Sequence, residues 1–289
     1  MTDDDTTTDE PIERTRREVL RSAGAVAGTP FGLGAAYRAD RSFEDRSGDG
    51  IPDDLKRSES FHRRLEELFG SDFEGLETER RDFLVDVRYV GDVSIDDRVK
   101  TYIEDRFRDN GIHMQWLDYS TRYDEARFRE AYGYNARTVL WSRRSFYRRE
   151  IESDLRDVAF QLVVVPGSSE PGLEGTVYSP WMDYVINDWQ DGWVNGMNVG
   201  NRALVGNRPS PRAQAELALH EIAHLVLCHD DDPSNRGVMG AAEEIDLTAG
   251  EWARLRDGLD AVRDTSGYDV ALRRCLWTDH ASSICSGCR

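Results

Sequence analysis

Residues 210–227, SPRAQAELALHEIAHLVL, set the strongest constraint on how this chain folds. Ser210 is a good N-cap and Pro211 suits the first helical position, so the run predicts a helix from Pro211 to about Leu227. Leu217, Leu219, Ile222, Leu225 and Val226 make that helix largely buried. His220, Glu221 and His224 interrupt its apolar surface. An apolar core helix gains nothing from two imidazoles and a carboxylate unless something pairs them. Positions 220 and 224 lie one turn apart on one face, where both imidazoles can bind a single zinc and leave a position open for water. Glu221 can then take the proton from that water. The competing reading is satisfied core or surface residues, since so short a pattern also arises by chance.

The chain has 289 residues, a formal net charge of -18 and an estimated pI of about 4.8. Its 37 basic residues include two lysines, Lys56 and Lys100, and therefore 35 arginines. No basic stretch survives this acidic background, which argues against nucleic acid as a partner, and an acidic substrate is disfavoured too. Dense carboxylates keep a surface hydrated when salt screens charge over a few ångströms, so adaptation to high salt explains the balance. No apolar run approaches the ~20 residues of a membrane-spanning helix, so the mature chain is expected to have no membrane span.

Thr15-Arg16-Arg17-Glu18-Val19-Leu20-Arg21 resembles the twin-arginine export motif, and SAGAVAGTPFGLGAA (22–36) follows as a weakly apolar stretch. The resemblance implies a signal peptide over 1–39, cleaved near Ala36 or Ala39, and a secreted or extracytoplasmic protein. The alternative is a cytoplasmic protein with an arginine-rich tail. Residues 40–80 read as an acidic linker. Within it, Asp45 to Asp53, DRSGDGIPD, resembles the short calcium loops of thrombospondin type 3 repeats, with Asp45, Ser47, Asp49 and Asp53 as side-chain ligands. Lys56 stands where such loops usually end in an acidic residue. Ca2+ at Asp45, Asp49 and Asp53 is one expectation, and a solvated linker is the other.

Globular texture begins near residue 81. FLVDVRYV (83–90), IHMQWLDY (112–119) and AFQLVVV (159–165) predict strands, and apolar residues at Ile95, Val99, Tyr102, Ile103 and Phe107 predict a helix over 94–110. A further helix is expected over 143–157, and short strands at 176–179 and 183–188. Residues 120–140 give no clear pattern. Gly192 to Arg208, rich in Asn and Gly, reads as an ordered loop. The order of elements predicts an α+β fold, a mixed sheet with helices packed on it.

HEIAHLVLCHDDDPSNRGVM (220–239) resembles the metzincin clan of zinc peptidases, which show H-E-x-x-H-x-x-G-x-x-H (or D) and then a methionine turn under the metal. His220, Glu221 and His224 match directly, Met239 in GVMG (237–240) matches the methionine turn, and DLTAGEWARLRDGLDA (246–261) matches the helix after it. The resemblance implies a metzincin-like domain over 81–265 with a twisted mixed sheet, an active-site helix, the turn and a C-terminal helix. It also implies a zinc-dependent endopeptidase acting on peptide or protein substrates, and an antiparallel edge strand that binds substrate, for which 174–179 is the candidate. Two departures stand out. The family glycine falls at Leu227, and the third ligand is either His229, one residue early, or Asp230 at the usual count. Zinc's preference for imidazole favours His229, which makes His220, His224 and His229 the expected ligand set with Glu221 as general base. A thermolysin-like pattern would use Glu243 or Glu244 instead.

Cys228, Cys275, Cys285 and Cys288 suit two disulfides in an exported protein, holding the 266–289 tail to the core; Cys285 and Cys288 also have zinc-knuckle spacing. A metzincin-like binding protein without turnover and a non-peptidase zinc hydrolase remain the alternative functions.

Overall fold

Asp82–Tyr89 (β1) is buried along its whole length, as befits a central strand covered on both faces. The computed structural model describes residues 44–70, 73–132, 149–150, 155, 158–166, 196–199, 201–227, 232 and 234–263. Beside β1 it places His113–Asp118 (β2), Ala159–Val165 (β3), Gly196–Val199 (β4) and Arg202–Gly206 (β5). Across the sheet the order is β2-β1-β3-β5-β4. β1 pairs in parallel with β2 and β3, β3 pairs in parallel with β5, and β4 runs antiparallel to β5 at the edge. The expected mixed sheet is therefore present, and its parallel part gives the fold an α/β character.

Six α-helices lie among the described residues: Asp53–Lys56 (α1), Glu59–Phe69 (α2), Asp97–Asp109 (α3), Glu125–Tyr132 (α4), Pro211–Ala223 (α5) and Ala249–Asp257 (α6), with a 3-10 turn at Leu259–Arg263. Strand alternation divides the core into two layers. Phe83, Val85 and Val87 of β1, with Phe160, Leu162 and Val164 of β3, pack against Val99, Ile103 and Phe107 of α3, Leu219 and Ile222 of α5 and Trp252 of α6. Phe83 stacks on Phe107, whose ring meets Trp252 edge-on. On the opposite face Leu84 and Val163 join Phe61, Leu65 and Phe69 of α2 and Phe128 of α4. Arg88 is buried in β1, and its guanidinium makes a two-point contact with Asp86, 2.6 and 3.1 Å, under the Tyr119 ring. That pairing offsets the cost of placing an ion inside the sheet.

Two expectations need correction. Residues 44–80 are not a linker: they belong to the compact unit that begins at Glu44, and α2 covers one face of the sheet. The helix is capped by Ser58 Oγ on the Phe61 amide, and its apolar positions 61, 65 and 69 are spaced one per turn. Charged residues between them dilute that stripe in a composition-based reading. The folded unit thus starts well before residue 81. Within Gly192 to Arg208, read as a loop, lies the β4–β5 hairpin, in which Val199 pairs with Arg202 and Asn198 with Ala203. A five-residue strand has little periodic signal; β5 is defined by its pairing with β3 and its burial. Conversely, 120–140 contains α4, whose Phe128 is buried.

The expected elements at 174–179 and 183–188, the four cysteines, the signal-peptide region and the tail from residue 266 lie outside the described residues. Among the described residues no helix is long and apolar enough to cross a membrane.

Candidate metal centre

α5 begins where expected. Ser210 Oγ accepts the Ala213 amide at 3.2 Å, and Gln214 Oε1 accepts the Arg208 amide at 2.7 Å. The helix stops at Ala223, earlier than the sequence suggests, and His224 is its C-cap with φ -61° and ψ -8°. The chain then turns through residues 224–226, with the Leu227 amide bonded to the Ala223 carbonyl at 2.9 Å. No positive φ is needed at Leu227, so a side chain is tolerated where the resemblance calls for glycine.

The helix brings His220 and His224 together with their Nε2 atoms 3.1 Å apart and their rings nearly perpendicular. Both rings are oriented from behind. His220 Nδ1 donates to the Val238 carbonyl at 2.7 Å, and His224 Nδ1 donates to the Leu227 carbonyl at 2.9 Å. A carbonyl only accepts, so each Nδ1 carries its proton and, in the neutral ring, each Nε2 presents a lone pair. Two lone pairs facing each other at this distance repel unless a proton or cation lies between them. Nitrogens held at about 2.0–2.1 Å by one tetrahedral zinc stand about 3.3 Å apart, so the pair fits a shared zinc. Carbonyl-bound Nδ1 is also the usual outer arrangement for metal-binding histidines. Both imidazoles are half-buried, while Glu221 between them in sequence is buried with 4% exposure.

The Val238 carbonyl that orients His220 belongs to a tight turn over 235–242. Asn235 Oδ1 accepts the Gly237 amide at 2.9 Å, and the Ala241 amide donates to the Asn235 carbonyl at 2.8 Å. The turn has no room for side chains at its glycines: a Cβ on Gly240 would lie 2.5 Å from the Asn235 carbonyl oxygen, and one on Gly237 2.7 Å from that of Asp246. Met239, at the centre, is 1% exposed within the core shared by α5 and α6. α6 anchors the turn. Thr248 and Glu251 form a capping box, and the other Glu251 oxygen accepts Asn235 Nδ2 at 2.8 Å. Asp246 accepts Trp252 Nε1 at 2.8 Å, and the Tyr102 hydroxyl of α3 donates to the Ile245 carbonyl.

His220, Glu221, His224 and Met239 are thus gathered at one end of α5. His229 and Asp230, the alternatives for a third ligand, lie outside the described residues. Among the described residues no group of three or more His, Cys, Asp or Glu side chains assembles around a common point. Glu243 and Glu244, the thermolysin-like alternatives, are exposed; Arg236 Nε lies 2.5 Å from the first and 3.9 Å from the second. Sequence reasoning missed Asn235, Glu251 and the orienting carbonyls of Val238 and Leu227. Thr248-x-x-Glu251 is a legible capping-box signal; the backbone carbonyls leave no trace in residue identity.

At the loop read as a calcium site, Asp45 accepts the amides of Gly48 and Gly50 at 2.9 and 2.8 Å, and Asp49 accepts the Lys56 ammonium at 2.6 Å. Asp53 accepts the Arg46 amide at 3.1 Å. Comparison with protein-family models, with curated proteins and with solved structures finds no match to this chain.

Proposed function

We propose that this protein is an exported, zinc-dependent endopeptidase of metzincin type that cleaves peptide or protein substrates. The observation that carries the reading is the approach of the two Nε2 atoms to 3.1 Å, with each Nδ1 committed to a backbone carbonyl. A buried turn around Met239 whose neighbouring Val238 carbonyl holds His220, and β4, an antiparallel strand that ends the sheet among the described residues and precedes the helix, support it further. His220 and His224 would hold the metal together with His229 or Asp230. Zinc held there would supply Lewis acidity and make water at the site more acidic.

The chain's own contribution is positioning and proton transfer. Val238 and Leu227 fix the two rings before any ligand arrives, so little ordering entropy remains to be lost on binding. Glu221, next to His220 and buried, takes the proton of the attacking water and delivers it to the leaving amine. The substrate strand that the resemblance implies, 174–179, lies outside the described residues; among those described, β4 ends the sheet and is the edge to which an extended peptide would add.

The test starts from the mature chain, purified in high salt, with zinc measured per molecule. One zinc per chain, lost on His229→Ala and kept on Asp230→Ala, assigns the third ligand to His229, and the reverse assigns it to Asp230. Hydrolysis of an unfolded protein should then disappear in Glu221→Gln while zinc is retained. A wild-type chain that takes up no zinc after loading would end the enzyme reading.

A further inference from the structure

The loop at 45–56 has the spacing of a twelve-residue calcium loop, in which oxygen ligands come from positions 1, 3, 5, 7 and 9, glycine occupies position 6, and a two-toothed glutamate closes the site at position 12. Counting from Asp45, these positions are Asp45, Ser47, Asp49, Ile51, Asp53, Gly50 and, at the twelfth, Lys56. Gly50 makes the sharp turn with φ +84°. The charge at the closing position is therefore inverted.

The structure shows where that inverted charge goes. Lys56 is 2% exposed, and five oxygens surround its Nζ: Asp49 Oδ2 at 2.6 Å, the Arg80 carbonyl at 2.7 Å, the Glu77 carbonyl at 3.0 Å, Ser47 Oγ at 3.1 Å and Asp82 Oδ2 at 3.3 Å. An ammonium has three N–H bonds, so five oxygen neighbours resemble the coordination of an ion more than a set of discrete hydrogen bonds. Two of the five, Ser47 and Asp49, are loop ligands at positions 3 and 5. The other three come from the 77–80 turn and the start of β1. The oxygens are of the hard carboxylate, hydroxyl and carbonyl types that bind calcium. The two carboxylates are themselves fixed: Asp49 accepts the amides of Ile51 at 2.9 Å and Asp82 at 2.7 Å, and Asp82 accepts Arg80 Nε at 2.7 Å.

We infer that Lys56 is a tethered replacement for a divalent cation: its ammonium engages positions 3 and 5 of a calcium-type loop, while Asp45 and Asp53 at positions 1 and 9 accept backbone amides, and it ties the loop to the 77–80 turn and the start of β1 without any metal. A free ion must be captured from solution, whereas a side-chain cation is present at unit stoichiometry whatever the calcium level or the competing salt. This inference is independent of the zinc site, which lies on α5.

The experiment uses the full mature chain in molar KCl, with Ca2+ titration followed by thermal melting, and Tb3+ as a luminescent probe excited through nearby aromatic residues. Wild type should show no calcium-dependent rise in Tm and no saturable terbium signal that depends on Asp49. Lys56→Glu, which restores the closing carboxylate, should melt several degrees lower without calcium and regain that loss in millimolar Ca2+. It should also bind Tb3+, and Asp49→Asn in the same background should abolish the signal. Calcium stabilisation of wild type that Asp49→Asn removes would overturn the inference. So would a Lys56→Glu chain that folds and yet binds neither ion. If Lys56→Glu folds only when calcium is present, the calcium requirement itself is the expected result; failure to fold even in calcium, with Lys56→Gln folding but showing no Tb3+ binding, counts against it.

Discussion

Replacing Asn235 by alanine removes the clasp between α6 and the turn whose Val238 carbonyl holds His220. Asn235 is 6% exposed; its Nδ2 donates to Glu251 Oε1 at 2.8 Å, and its Oδ1 accepts the Gly237 amide at 2.9 Å. The first is a bond to a carboxylate, worth about 1.5–3 kcal/mol. Losing the second leaves a buried amide donor without its acceptor, which costs about 1–3 kcal/mol. The two losses share one turn and are not strictly additive, so a destabilisation of about 2–5 kcal/mol is expected. Glu251 is 1% exposed and keeps the Thr248 amide and hydroxyl on its other oxygen, so the α6 cap survives and the damage centres on the turn. Urea unfolding of metal-free wild type and Asn235→Ala at equal salt measures this, with an unchanged m-value confirming that the unfolding transition is the same. Because the Val238 carbonyl orients His220, zinc should also dissociate faster from the variant. A loss below about 1 kcal/mol would refute the view that this clasp holds the turn.

Leu65→Ala tests whether α2 belongs to the core. Leu65 is 0% exposed against the sheet, and the substitution should cost about 2–5 kcal/mol in global stability, whereas a linker residue would change almost nothing. His113 makes stability depend on pH. Its hydrogen bond with Asp82, aided by Glu74 and opposed by burial and by Arg80, raises its pKa above the ordinary value. The charged ring therefore adds stability that is complete below about pH 6.5 and is lost as pH rises through the higher folded-state value. The Tm difference between wild type and His113→Asn should be largest in that acid window and shrink toward alkaline pH; a gap that widens with pH would show the sign to be wrong.

The local chemistry of α5 is legible in the residues themselves. Ser210-Pro211 starts the helix, and the i, i+4 spacing puts two imidazoles on one face whatever surrounds them, because helical periodicity is a short-range property. β1, β2 and β3 are legible for a similar reason, since buried strands read as apolar runs. The tertiary structure alone decided which atoms stand behind those imidazoles. The Val238 carbonyl reaches His220 from 18 positions away through a turn held by Asn235 and Glu251, and a backbone carbonyl is the same group in every residue. It likewise decided that 44–80 is core, because the α2 stripe acquires meaning only against the sheet face that covers it. The partner of Lys56 was hidden for the same reason. The spacing of the loop names its ligands, but the three oxygens from 77–82 that complete the ammonium's shell arrive only through folding.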